Sequence, residues 1–260
     1  KSAVAESVSA PPRVSAVVPF HDSGRHLRPC IESLLALEAE PGEVELILID
    51  NGSTDDSAAN AADFFGITVL HEATPGDYSA RNTGIRVARA PIIAFTDADC
   101  TVDRDWARAI LASMDDPGTG AVIGHCRYPD DATLPLKLLG AWENAKAAHV
   151  TRRCPPANRF AYCNNMAVRA SLFDEIGPFR EWRRAADSEL VHRLAGERPD
   201  LDLRYDPTMR ITQNVFTRAR DRARRLRLYT DTNTQIDGFR ELTALQRLGA
   251  LWHGLLGAGR

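Results

Sequence analysis

The segment "IIAFTDADC" (residues 92–100) runs an apolar stretch straight into Asp97 and Asp99. Carboxylates are hard oxygen donors. Two of them where a buried strand ends suit Mg2+ or Mn2+, with water and substrate phosphates completing the coordination shell. A solvated polar turn explains the same two residues equally well. The pattern alone decides nothing, because Asp-x-Asp occurs three times: Asp97/Asp99, Asp103/Asp105 and Asp200/Asp202. Asp103 or Asp105 reads as the N-cap of a helix over "WARAILASM". Asp200 and Asp202 fall in a loop-like "PDLDL". Only Asp97 and Asp99 close a strongly apolar strand, and an extended "DAD" would turn both carboxylates to one side.

The elements that position this pair are legible as an alternation. "VSAVVPF" (14–20), "VELILID" (44–50), "ITVLHE" (67–72) and "PIIAFTD" (91–97) read as strands. Residues 27–40, "AANAADFF" and residues 79–90 read as the helices between them. A βαβα rhythm predicts an α/β fold with a Rossmann-like, mainly parallel sheet and helices on both faces. Ligands in such sheets bind beyond the carboxyl ends of the strands. His21-Asp22, Asp50-Asn51 and Asp97-Asp99 all follow strand ends, so the pattern places them on one rim. Beyond residue 120 the rhythm loosens, with "GAVIGHCRY" as a strand, residues 134–150 and 187–197 as helices, and "YDPTMRITQ" as a short strand.

Length and composition bound the reading further. The chain of 260 residues has a net charge of −3, which gives no global reason to expect nucleic acid. Five cysteines with no C-x-x-C pair form neither a zinc site nor a disulfide framework, and fit reduced thiols in a cytoplasmic protein. No apolar run reaches the roughly 20 residues needed to span a bilayer. No G-x-x-x-x-G-K-[ST] loop is present, which excludes a P-loop NTPase. "GTGAVIG" (118–124) has the wrong spacing for a dinucleotide loop and precedes a strand instead of following one. The expected organisation is a loose N-terminal arm (1–13), one catalytic domain (14–215) and a basic, helical C-terminal region (216–260). The domain divides into a donor half (14–120) and an acceptor half (121–215). Residues 217–227 carry six arginines against one aspartate. Together with the apolar "LTALQRLGALWHGLLG" they fit either a packed helix face, a contact between copies, or peripheral contact with an anionic membrane.

The blocks "VSAVVPFHDSGRHLRPCIESLLA", "ELILIDNGSTDDS", "ARNTGI", "IIAFTDADC" and "NNMAVRASLFDEIGPFRE" occur in that order over about two thirds of the chain. Together they resemble the family 2 glycosyltransferases of the GT-A fold. The resemblance implies an inverting transfer of sugar from a nucleotide-sugar donor, usually a UDP-sugar, to an acceptor whose identity the sequence leaves open. It implies that Asp99 ligates a divalent cation, with Asp97 on the ribose or the ion, and that the cation steadies the diphosphate leaving group. It implies that Asp50 hydrogen-bonds the nucleobase, that Pro19, Phe20 and His21 pack against the base, and that Arg81 reaches the nucleotide. Asp50 has a bland reading as a turn aspartate, and Arg81 one as a surface arginine.

The same resemblance makes Asp187, in "AADSEL", the general base, with a plain helix N-cap as the other reading. Trp182, Asn164 and Asn165 are candidates for the acceptor side, the tryptophan because aromatic faces suit sugars and apolar acceptors, although a tryptophan is more often core. Trp142 and Trp252 are weaker acceptor-groove candidates. Two positions depart from the family pattern. Ala186 stands where a carboxylate is usual, and Gln213 stands where many relatives carry a histidine near the metal or diphosphate. His192, five residues after Asp187, reads as structural. The competing readings are a nucleotidyltransferase, which should show a glycine-rich basic loop after the first strand, and a non-catalytic nucleotide-sugar-binding or scaffold protein.

Overall fold

The computed structural model describes residues 11–222. Eight strands form one sheet in the order β3-β2-β1-β4-β7-β6-β8-β5. They are β1 (Val14–Phe20), β2 (Val44–Asp50), β3 (Ile67–His71), β4 (Ile92–Thr96), β5 (Cys100–Val102), β6 (Thr119–Arg127), β7 (Asn165–Arg169) and β8 (Asp202–Gln213). The run β3-β2-β1-β4 is parallel throughout. Beyond it β7 is antiparallel to both β4 and β6, β8 is parallel to β6, and β5 is antiparallel to β8. The sheet is therefore parallel in its first half and mixed in its second.

All seven residues of β1 are buried, as expected of a strand covered on both faces. Its alternation divides the core in two. Val14, Ala16, Val18 and Phe20 face a layer built from helix α1 (Gly24–Leu35) and helix α4 (Trp106–Met114), where Leu27, Ile31, Trp106 and Ile110 are fully buried. Val17 faces the opposite layer, shared with helix α3 (Asp77–Val87), helix α6 (Ser171–Glu175) and helix α7 (Ala186–Glu197). Helix α2 (Ser57–Ala62) follows β2, and helix α5 (Leu134–Arg153) lies over β6 and β8. Gly84 lets α3 press against the sheet, since a Cβ there would stand 2.5 Å from Val17 Cγ1 and 2.9 Å from Ile49 Cδ1.

Several elements differ from their expected bounds. Helix α1 begins at Gly24 rather than at 27. Ser57 Oγ accepts the N–H groups of Ser23 and Gly24, and Asp55 Oδ2 accepts that of Gly24, so the loop after β2 caps the helix from a distance. Asp105 holds the N-cap position of α4 without a side-chain cap. Instead Asp103 and Asp105 both pair with Arg210 of β8, at 2.9 and 3.3 Å. β8 is twelve residues long because its register shifts against β6 between Gly124 and His125, which lets one strand continue through an irregularity. β5 was not expected from the sequence. Residues 223–227 of the basic run, Trp252 and the apolar tail lie outside the described residues.

Asn165 is a correction. Expected on the acceptor side, it is fully buried at the start of β7. Its Oδ1 accepts Trp106 Nε1–H at 2.9 Å, and its Nδ2 donates to Met209 O at 2.8 Å and His125 O at 3.1 Å. It ties α4, β6 and β8 to β7. Replacing it by leucine strands three buried polar groups and should cost at least about 3 kcal/mol. Urea unfolding of Asn165→Leu measures this, and a loss within experimental scatter would contradict a structural role.

Candidate active site

The rim at the carboxyl ends of β1, β2, β3 and β4 gathers the polar residues in one place. Pro19 and Phe20 are buried, and the Phe20 ring packs in the α1/α4 core. That corrects the expectation that this ring meets a nucleobase. Only the Phe20 backbone takes part in the rim, its carbonyl accepting Asn51 N–H at 2.8 Å. His21 is exposed, with Nδ1–H donating to Asn51 O at 3.0 Å.

Asp50 ends β2. Its Oδ1 accepts Ser53 N–H at 2.9 Å and its Oδ2 accepts from His71 Nδ1 at 3.2 Å. Burial pushes the carboxyl up, but the Ser53 hydrogen bonds and His71 outweigh it, and the net shift is downward. Asp50 is thus held as an oriented anion at the rim. His71 is the partner that sequence reading missed. The signal was available: β2 and β3 pair in parallel with Asp50 opposite His71, and both strands end on a polar residue.

Asp97 and Asp99 leave β4 in a turn rather than an extended stretch. Cys100 N–H donates to Asp97 O at 3.0 Å, and Ala98 is buried between two half-buried carboxylates. Asp97 Oδ1 accepts from Arg81 Nη2 at 2.5 Å. Arg81 is 4% exposed, so it is no surface arginine. Its guanidinium lies 5.5 Å from the centre of the Tyr78 ring, and the charge of Asp97 is among the groups that hold it protonated. Asp99 accepts from Cys100 Sγ at 3.3 Å, and its backbone carbonyl accepts Asn214 N–H at 2.8 Å.

Asp187 lies in the first turn of α7. Its Oδ2 accepts Cys163 N–H at 3.2 Å and its Oδ1 accepts Ser188 N–H at 2.8 Å. Burial raises its pKa, partly opposed by these hydrogen bonds and by the charge of Arg81. A raised carboxyl is what a general base near neutral pH requires. The cap residue of α7 is Ala185 rather than Asp187. Its φ of 64° lies in the left-handed region, at a cost of roughly 1–2 kcal/mol for a residue with a Cβ. Strain of this kind concentrates at functional sites. Ala186 is fully buried in the second core layer, so the departure from the family pattern falls on a packed position.

The remaining candidates divide. Asn164 Oδ1 is buried and has no hydrogen-bond partner among the described residues, and Asn164 O accepts from Thr96 Oγ1 beside the exit of β4. Trp182 is half-buried against the core layer that holds Phe179 and Ala186, so part of it is packing. His192 Nε2 lies 2.7 Å from Arg159 O, a structural contact. Gln213 pairs with Cys100 across β5 and β8, is 4% exposed, and its Oε1 has no hydrogen-bond partner among the described residues.

A divalent cation would find Asp99 and Asp97 as hard donors, with an unsatisfied amide oxygen on the neighbouring Gln213. No cluster of three or more His, Cys, Asp or Glu side chains suited to an ion occurs among the described residues. Such a site fits a cation that takes much of its shell from substrate phosphate and water.

Comparison with known proteins accords with this arrangement. Residues 15–177, more than half of the chain, match the model of glycosyl transferase family 2. The uncharacterized glycosyltransferase EpsJ of Bacillus subtilis is 39% identical over 186 residues, covering 65% of this chain and 54% of that protein. A mannosyltransferase of Pyrobaculum calidifontis, solved with GDP-Man and Mn2+, superposes with a TM-score of 0.67 at 21% identity, over 95% of this chain and 71% of that one. TarS of S. aureus, solved with UDP-GlcNAc, superposes with a TM-score of 0.62 at 14% identity, over 94% and 71%. The chain spans about half the length of the curated relatives it matches. With a rim of ordered carboxylates on a GT-A fold, it belongs to glycosyl transferase family 2.

Proposed function

We propose that this chain carries the catalytic domain, residues 14–215, of an inverting glycosyltransferase that uses a UDP-sugar or a related nucleotide sugar. The observation that carries the reading is the buried Arg81, hydrogen-bonded to Asp97 and acting electrostatically on Asp187. It sets a donor-side carboxylate and an acceptor-side carboxylate around one fixed cation. The similar mannosyltransferase and TarS, solved with GDP-Man and UDP-GlcNAc, support a nucleotide-sugar donor.

In this reading Asp50, oriented by Ser53 and His71, accepts an N–H of the nucleobase. Asp99, with Asp97, holds a divalent cation, Mn2+ or Mg2+, which supplies Lewis-acid stabilisation of the diphosphate leaving group. Asp187 accepts the proton as the acceptor O–H bond breaks. The acceptor oxygen then bonds to the anomeric carbon, whose bond to the diphosphate oxygen is lost with inversion. The unpartnered Asn164 Oδ1 supports an acceptor-side role for that residue. The five cysteines are free thiols, which supports a cytoplasmic location. Membrane contact through residues 216–260 concerns a segment largely outside the described residues. Gln213, a neutral group where the family resemblance leads one to expect a histidine, favours the second reading, a domain that binds nucleotide sugar without transferring it.

Thermal unfolding with nucleoside diphosphates, with and without Mn2+, tests the donor site. A ligand at about 100 times its dissociation constant adds roughly 2.7 kcal/mol to the folded state. Asp99→Asn should lose the Mn2+-dependent part of that shift. No shift with any nucleoside diphosphate would sink the donor assignment.

Asp187→Asn should keep nucleotide affinity and lose transfer; transfer at the wild-type rate would remove Asp187 from the base role. If wild type and Asp187→Asn bind alike and neither transfers, the binding-only reading stands. The pH dependence of stability gives a separate check. Asp187 has a folded-state pKa raised above its ordinary 3.8, so the folded protein binds the proton more tightly than the unfolded chain. Its contribution to stability therefore falls as pH rises from about 3.8 through the raised value. Relative to wild type, Asp187→Asn should gain stability across that interval in urea unfolding, whatever its offset at low pH. A pH-independent offset would contradict the raised pKa.

A further inference from the structure

Helix α5 is apolar on two sides. Leu136, Gly140, Ala147 and Val150 belong to the side packed over β6 and β8. On the opposite side Leu134, Leu138 and Trp142, at i, i+4 and i+8, are 68%, 61% and 38% exposed. They make a stripe about 12 Å long, widened by the exposed Ala141 and Ala145. Apolar side chains exposed singly need no explanation, but a contiguous stripe does. Charge around it has one sign. At 100° per residue Lys137 and Lys146 stand on its two flanks, and the exposed Arg152 and Arg153 follow in the last turn. Lys137 Nζ donates to Asp130 O at 2.6 Å. Lys146 Nζ lies 5.5 Å from the centre of the Trp142 ring and 5.0 Å from that of Phe160. Glu143, the only carboxylate in the helix, turns away from the stripe. Its oxygens accept from the Tyr128 hydroxyl at 3.1 Å and from Arg222 Nη2 at 3.0 Å. Asp130 and Asp131 precede the helix.

We propose that the outward face of α5 docks on an anionic lipid surface. Leu134, Leu138 and Trp142 enter the headgroup boundary, while Lys137, Lys146, Arg152 and Arg153 meet lipid phosphates. A helix lying in that boundary needs an apolar stripe with cations beside it. Lysine stems cover apolar surface while their ammonium groups stay in the polar layer, and an indole ring with its N–H suits the same depth. Charge complementarity selects this occupant. A second copy joined through the same stripe would set like cations against one another. The chain's own apolar residues 242–256 bring Arg247 and no carboxylate, so they supply no counter-charge either. An anionic leaflet does, each nearby cation strengthening partitioning about fivefold. The contact asks nothing of the rim carboxylates, so nucleoside diphosphate binding should be the same in every variant below.

Co-sedimentation of the 260-residue chain with vesicles is the test. Phosphatidylcholine vesicles containing about 30% phosphatidylglycerol should bind it at least about tenfold more strongly than phosphatidylcholine alone. Leu138→Glu, and separately Lys137→Gln combined with Lys146→Gln, should each weaken that binding about tenfold or more. Leu138 is exposed, so Leu138→Glu should unfold in urea as wild type does. Tryptophan emission locates the contact. In Trp252→Phe protein, brominated lipid should quench it, and adding Trp142→Phe should remove most of the quenching. No binding to the anionic vesicles overturns the proposal. Binding that survives Leu138→Glu overturns it too, because the contact then lies elsewhere in the chain. A dimer that Leu138→Glu dissociates in light scattering, without vesicle binding, assigns the stripe to a second copy. Faster trypsin cleavage after Arg247 in Leu138→Glu, again without vesicle binding, assigns it to the C-terminal segment. Either result overturns the proposal.

Discussion

A buried guanidinium is the constraint on which the site depends. Taking Arg81 out of water is costly unless opposite charge and hydrogen-bond acceptors surround it. Here the partner is Asp97, a carboxylate that leaves β4 at the sheet rim, and Tyr78 gives the guanidinium an aromatic face. The arrangement ties the β4 end of the rim to α3 and, through Asn82 and Phe179, to the segment that leads into α7. A helix that could slide would lose the ion pair, the amide clamp and the aromatic contact together. Gly84, on the same helix, removes the side chain that would hold it off the sheet.

The sheet supplies the geometry those contacts need. Parallel strands β3, β2, β1 and β4 deliver their carboxyl ends to a single edge, which is why His71, Asp50, His21 and Asp97 arrive together although 76 positions separate the outermost of them in sequence. The antiparallel return of β7 then brings Asn164 beside the exit of β4, and the same segment carries the Cys163 N–H that holds Asp187. One sheet thus positions both the rim carboxylates and the segment that holds Asp187. Each carboxylate is held by a different means: Asp50 by a turn and a histidine, Asp97 by an ion pair, Asp187 by backbone N–H groups.

The sequence made the first half of this fold legible because its strands are buried on both faces and read as continuous apolar runs. "VELILID" coincides with β2 residue for residue. Local pattern failed where tertiary partners decide. Nothing near Gly24 announces that Ser57 and Asp55 will cap α1. Nor does a three-residue strand such as β5 carry a periodicity that could be read. Asn165 was misassigned for a related reason: a polar residue in a motif block looks functional until Trp106, His125 and Met209 are seen around it. Phe20 failed in the opposite direction, its strand-end position suggesting a ligand contact while its alternation placed it in the core. Asp50 and Arg81 were legible as types and positions, but not their partners His71 and Tyr78, which come from neighbouring elements.

Ala185 bears on how freely this segment can vary. A glycine at φ 64° would relieve a strain of about 1–2 kcal/mol, yet it would also enlarge the freedom of the unfolded chain, by roughly 0.4–1 kcal/mol. The second effect offsets only part of the first, so glycine here is favoured by a modest margin. What differs is the range of backbone angles open to the native protein two positions before its carboxylate. Substitution at 185 is thus a way to change how tightly that carboxylate is held at a modest change in folding free energy.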